Sequence, residues 1–155
     1  YHYFPGGKPE IGAAAVGFAG ERVRRSLQAL ADGGHPPGEL LRAYAGQLAG
    51  WMAQSDFRDG CPIATVLLEA AADEPAIRAA GARAGAGWTR VLDRALREHG
   101  VAPRRARRLA LTAIAALEGA LIQARVAADT TPIAEVAGEI AGLFDQAVAQ
   151  AQSPR

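Results

Sequence analysis

The chain is poorest in the residues that build metal centres and nucleophilic sites. Its 155 residues include one cysteine, Cys61, and three histidines. A lone thiol closes no internal disulfide and leaves no thiolate cluster for a structural metal, which fits a reducing, cytoplasmic setting. His2, His35 and His99 all fall at turns or chain ends, and no Walker loop, strand-borne GxGxxG or HExxH motif occurs, so neither a cofactor nor a metal is expected. Charge of one sign is also missing. Seventeen basic and sixteen acidic side chains leave a formal charge of +1, which excludes a massed polycation, so any nucleic-acid contact has to be argued locally. No apolar run reaches the roughly 18 residues of a membrane span, and no charged segment followed by an apolar stretch opens the chain, so no membrane partner is expected.

Valine, isoleucine and threonine are sparse, while roughly a quarter of the residues are alanine, a composition that favours helix over sheet. The expected fold class is all-α. One core is expected at this length. Apolar positions recur at three and four from Glu10 to Ala31, then from Leu40 to Met52 after the Asp32-Gly33-Gly34-His35-Pro36-Pro37 breaker. A short segment from Cys61 to Glu69 is apolar nearly all round and should be buried. Asp73-Glu74-Pro75 opens a fourth helix, Arg104 to Ala128 forms a fifth, and Thr131, as N-cap, starts the last. The fourth helix carries three glycines between Gly81 and Gly87, each costing about 1 kcal/mol against alanine, so it is either packed closely or built to yield.

Few side chains point to chemistry. Cys61 lies beside Asp59 with no histidine nearby in sequence, so a small buried hydrophobe is favoured over a nucleophile, and no enzyme is expected. Glu69 and Glu118 sit inside apolar helices, where a carboxylate either pairs with an arginine such as Arg125 or faces a cavity; pairing is the expectation. Trp51, Met52, Phe57 and Trp88 read as core or as the walls of a ligand box.

Tyr1-His2-Tyr3-Phe4-Pro5-Gly6-Gly7-Lys8 resembles the junction after the recognition helix in TetR-family bacterial transcriptional regulators, where Tyr-x-x-Phe is followed by a turn and a lysine. Asp59-Gly60-Cys61-Pro62-Ile63-Ala64 is similar to the Gly-Cys-Pro segment of the branch that includes lincomycin- and flavonoid-responsive repressors. Leu117 to Arg125 resembles the penultimate helix of that branch, and order and spacing agree from Tyr1 to about Gln150.

The resemblance implies a ligand-responsive repressor that binds operator DNA as a homodimer and is released by a small hydrophobic effector. By it, residues 1–8 are the end of a helix-turn-helix domain otherwise missing from this chain, and residues 9–152 an effector-binding and dimerisation domain. Tyr1, His2 and Lys8 would lie near DNA phosphates. The effector would wedge among Trp51, Met52, Phe57, Cys61, Trp88, Leu92, Glu118, Leu121 and Ile122. A four-helix bundle about a two-fold axis would use Ile114, Leu117, Leu121, Ile140, Leu143 and Phe144, with Gly138, Ala141 and Gly142 as a small-residue surface. The alternative is a structural helical dimerisation module without a ligand.

Overall fold

Proline sets the starts of this fold. A computed structural model describes residues 4–5 and 7–153, and its order is α1 (Lys8–Asp32), α2 (Pro37–Gln54), α3 (Ala64–Ala70), α4 (Pro75–Glu98), α5 (Pro103–Ala127) and α6 (Thr131–Gln152). All but α3 carry a proline in their first two positions, where the missing N–H has no intrahelical acceptor anyway. Stops are made by left-handed backbone. Ala128, at φ 51, ends α5, and Gly34 and Gly100 turn the chain after α1 and α4 at φ 77 and 90. Thr131, expected as the N-cap, is instead the first residue of α6 after a Thr130 cap without a side-chain bond, and Asp129 Oδ1 accepts the Thr131 N–H at 3.0 Å and its hydroxyl at 2.9 Å. Those bonds hold the Asp129 carboxyl below its usual range.

Two helices interlock along their length. A Cβ added to Gly12 would meet Ile77, one on Gly20 would meet Ala84, and one on Gly87 would meet Arg24. Contact positions rise together in both helices, so α1 and α4 run parallel, with glycines on both sides allowing the close approach. The Trp88 indole donates to the Gly20 carbonyl at 2.8 Å in the buried seam. The glycine-rich helix is therefore the closely packed case. α2 pairs with α6, and α5 packs against α4 on one flank and α6 on the other. Leu27, Leu40, Leu41, Leu92, Leu96, Ile133 and Phe144 form the centre of the core.

Three expectations change. α3 holds no buried residue and its Leu68 is 82% exposed, because only one flank of this seven-residue helix meets α4, at Gly81. α5 is long and apolar enough, by length and composition, to cross a bilayer, interrupted runs notwithstanding. Its face Ala106, Leu109, Ala110, Ala113, Leu117, Ala120, Leu121 and Ala124 is buried within the bundle. The residues expected at a dimer seam are also mostly internal. Phe144 is 0% exposed, Leu117, Leu121 and Ile140 are buried, and Ile114 is half-buried, because their stripe is the one that faces the protomer's own core. Of that set only Leu143 is exposed. The outer faces of α5 and α6 instead present Leu111, Ala115, Ile122, Val126, Leu143 and the open Gly119 and Gly138.

Candidate ligand-binding site

The helices border a cavity of about 850 Å³ that opens to solvent, within the size range of small-molecule sites. Helical spacing explains its walls. Phe18, Arg22 and Ser26 follow i, i+4, i+8 on α1; Tyr44, Leu48 and Trp51 follow i, i+4, i+7 on α2; Ile114, Glu118, Leu121 and Arg125 share one face of α5. Trp88 closes the α4 side, and residues 58–62 with Thr65 of α3 close the end. That loop is placed by an unusual turn after α2. Asp56 and Phe57 both take left-handed backbone, at φ 52 and 56, a conformation costly for a bulky side chain. It is held by Phe57 N–H to Met52 O at 2.9 Å, by the Ser55 hydroxyl to the same carbonyl, and by Asp59 N–H to Ser55 Oγ.

Five of the nine residues expected at a ligand line this cavity: Trp51, Cys61, Trp88, Glu118 and Leu121. The other four do not. Met52 and Leu92 are 2% and 1% exposed, on core-facing positions beside Trp51 and beyond Trp88. Phe57 packs half-buried against the core, and Ile122 is exposed on the outer face of α5, one residue's rotation away from the lining Leu121. Lys8 is the exposed first residue of α1; Tyr1 and His2 lie outside the described residues. Sequence reading missed Phe18, Tyr44, Arg22, Arg25 and Arg58 as lining, and placed Arg125 only as a partner for Glu118. The arginines of α1 sit at positions that read as a solvated face, and nothing in their spacing marked a cavity beneath it.

The deep end of the cavity holds three titratable groups. The Cys61 thiol and the Glu118 carboxyl line the same cavity, close enough to perturb each other's ionisation. Burial pushes the thiol up to about 12, helped by the neighbouring Glu118 charge, which leaves little thiolate for nucleophilic chemistry. Burial likewise raises Glu118, and burial first, then Glu118, raises Tyr44. The expected Glu118–Arg125 pair is not made: among the described residues Glu118 has no ion pair and its carboxyl faces the cavity. Glu69 is simply exposed. The lining is thus more polar than the apolar box expected.

Residues 37–139 match the family described as "Transcriptional regulator LmrA/YxaF-like, C-terminal domain". The chain belongs to this branch of the TetR family. It is 40% identical over 138 residues to an uncharacterised HTH-type transcriptional regulator of Mycobacterium tuberculosis, covering 86% of this chain and 69% of that one. It is 24% identical over 144 residues to the HTH-type transcriptional regulator LmrA of Bacillus subtilis, covering 93% and 77%. Among solved structures, the regulatory protein TetR from Rhodobacter sphaeroides superposes with a TM-score of 0.77 at 27% identity, covering 92% of this chain and 78% of that one. The all-α regulator fold and a TetR-type role in transcription follow for this LmrA/YxaF-like chain.

Proposed function

We propose that this LmrA/YxaF-like chain is the sensing part of a cytoplasmic, ligand-responsive repressor: a homodimer that holds operator DNA until a small effector enters the cavity, with no catalytic step. The cavity carries the reading. Its volume suits a drug-sized molecule, and its walls include six residues of α1, the helix that in this reading is joined ahead of Lys8 to a helix-turn-helix. Residues 9–152 then act as the effector-binding and dimerisation domain, and Lys8 lies toward the DNA phosphates. An effector touching α1 changes its preferred tilt, and two half-sites about 34 Å apart tolerate little tilt. The shift in operator affinity equals the effector's differential affinity for the two tilts, typically about 1–3 kcal/mol.

Dimerisation in this reading uses the outer faces of α5 and α6. Leu111, Ile122, Val126 and Leu143 are exposed there, flanked by Ala115, Gly119 and Gly138, and two such helices from each protomer suit a four-helix bundle. The test has two parts. A thermal-shift screen of small hydrophobic molecules should raise the melting temperature of this chain; the regulator with its helix-turn-helix should then lose its operator complex when the same compound is added. A screen without any stabilising compound would leave a structural dimerisation module.

A further inference from the structure

We infer that the cavity selects an amphiphilic organic anion, with its apolar body against Trp51 and Trp88 and its carboxylate, or a similar group, at Arg22 and Arg125. This rests on the reading that the cavity holds an effector. It adds the effector's charge.

The arginines around the cavity are not equivalent. Arg24 and Arg25 share Glu21, at 2.7 and 3.1 Å, and Arg58 lies 3.8 Å from Asp56. Arg22, in the same turn of α1 as Arg24 and Arg25, lines the cavity and has no acidic partner or hydrogen bond among the described residues, and the same holds for Arg125 of α5. A Cβ on Gly60 would lie 3.9 Å from Arg125 Nη1, so this guanidinium sits against the loop that closes the cavity end. Other unpaired arginines, such as Arg104 and Arg105, face solvent on α5 away from the lining. Two guanidinia from two helices thus border one cavity whose walls include Trp51, Trp88, Leu48 and Ile114.

The acidic side of the lining does not cancel them. It consists of Asp59, exposed in the loop, and Glu118. Glu118 lines the cavity largely away from solvent, and burial raises its carboxyl above the usual carboxylate range, which disfavours its charged form. A cationic ligand would have to pass the arginines and then bear the desolvation of Glu118. An anion meets unpaired donors at the mouth and apolar walls within, and guanidinium–carboxylate bonds are among the stronger polar contacts.

The two cavity tryptophans are the only ones in the chain, so their emission reports on its contents. Three probes share one pyrene body: 1-pyrenebutyrate, 1-pyrenebutanol and a pyrenebutylammonium ion, each absorbing where tryptophan emits. Quenching titrations should give the carboxylate about tenfold tighter binding than the alcohol, and the ammonium weaker binding than either. In the Arg22→Gln, Arg125→Gln double variant the carboxylate should fall to within about twofold of the alcohol, with the alcohol unchanged; both side chains are exposed, and an unshifted melting temperature checks the fold. Raising salt should shrink the preference. Equal binding of alcohol and carboxylate, or preference for the ammonium, overturns the charge selection and leaves the sensor reading standing. Absence of quenching by all three overturns both.

Discussion

Replacing Gly20 by alanine tests whether α1 and α4 are as tightly clasped as the fold requires. The new Cβ would lie 2.6 Å from the Ala84 Cβ, against the roughly 3.5–4.0 Å that carbon atoms prefer. Neither atom has a rotamer through which to escape, so the helix axes must part by about 1 Å. Overpacking of this kind costs about 1–3 kcal/mol. Parting also stretches the 2.8 Å bond from Trp88 to the Gly20 carbonyl, a bond worth about 0.5–1.5 kcal/mol. Against these stands the helix-propensity gain of alanine over glycine, about 1 kcal/mol. The net is a loss of about 1–3 kcal/mol, or a melting temperature lower by roughly 2–10 °C at this size. Gly85→Ala, in α4 where an added Cβ meets nothing within 4 Å, collects only the propensity gain and should melt about 1–4 °C higher. The double variant Gly20→Ala, Ala84→Gly moves the methyl across the seam and should recover much of the clash while keeping α1's new propensity. Thermal melts followed by circular dichroism read all three. If Gly20→Ala stabilises as much as Gly85→Ala, the helices are not in contact at this point and the clasp is refuted.

Glu118→Gln should stabilise the protein above the ordinary carboxylate range. The native carboxyl is raised above 4.5, so the folded state binds more protons than the unfolded one between 4.5 and the raised value and wild-type stability falls as pH rises through that window. The advantage of glutamine should therefore be largest at alkaline pH and vanish near pH 4.5; an advantage independent of pH would contradict it. Cys61, pushed up from 9.0 to about 12, should alkylate with iodoacetamide at pH 8 about a thousandfold more slowly than an unstructured thiol, since thiolate is the reactive form, and a rate close to that of the unfolded chain would place it in solvent. On the outer faces, Ile122→Asp or Leu143→Asp should yield a folded monomer in light scattering, because a charge desolvated at an apolar interface costs several kcal/mol. Phe144→Arg should instead fail to fold, as that side chain is wholly internal, and a folded Phe144→Arg monomer would show that the two faces of α6 are reversed.

Helix order, approximate boundaries and family were legible in the sequence because prolines, glycines and a three-and-four periodicity punctuate it throughout. Which stripe of a helix faces inward was harder. The α6 stripe through Ile140 and Phe144 reads as available to a second copy, yet a single domain of six helices uses it for its own core, and the outward row is the sparser Leu111, Ile122 and Val126 of α5, of which Ile122 was expected at the ligand. Periodicity locates an apolar face without saying which partner covers it. The cavity shows the same limit. Trp51, Trp88, Cys61 and Glu118 stood out as unusual in their helices. Met52 and Leu92 adjoin lining positions yet belong to the core: Met52 is rotated about 100° from Trp51, and Leu92 lies one turn further along the same face as Trp88. Arg22 gave no signal because a charged residue on an amphipathic helix ordinarily points to water, and Arg125 stood out only as a partner for Glu118.

Trp88 joins the cavity to α1. Its ring lines the cavity and its indole N–H binds the backbone of α1, so whatever presses on the ring acts on the helix that begins at Lys8. Ser26, also in the lining, donates to Gln47 of α2, which ties the same helix to a second wall. An occupant that strengthens the Trp88–Gly20 bond favours one separation of α1 and α4; one that wedges the ring outward favours another. Since Gly20 has only the small Ala84 opposite, that separation has little slack in the closed direction, and the response available to a ligand is opening. Occupancy by a bulky body should therefore move α1 away from α4 rather than toward it.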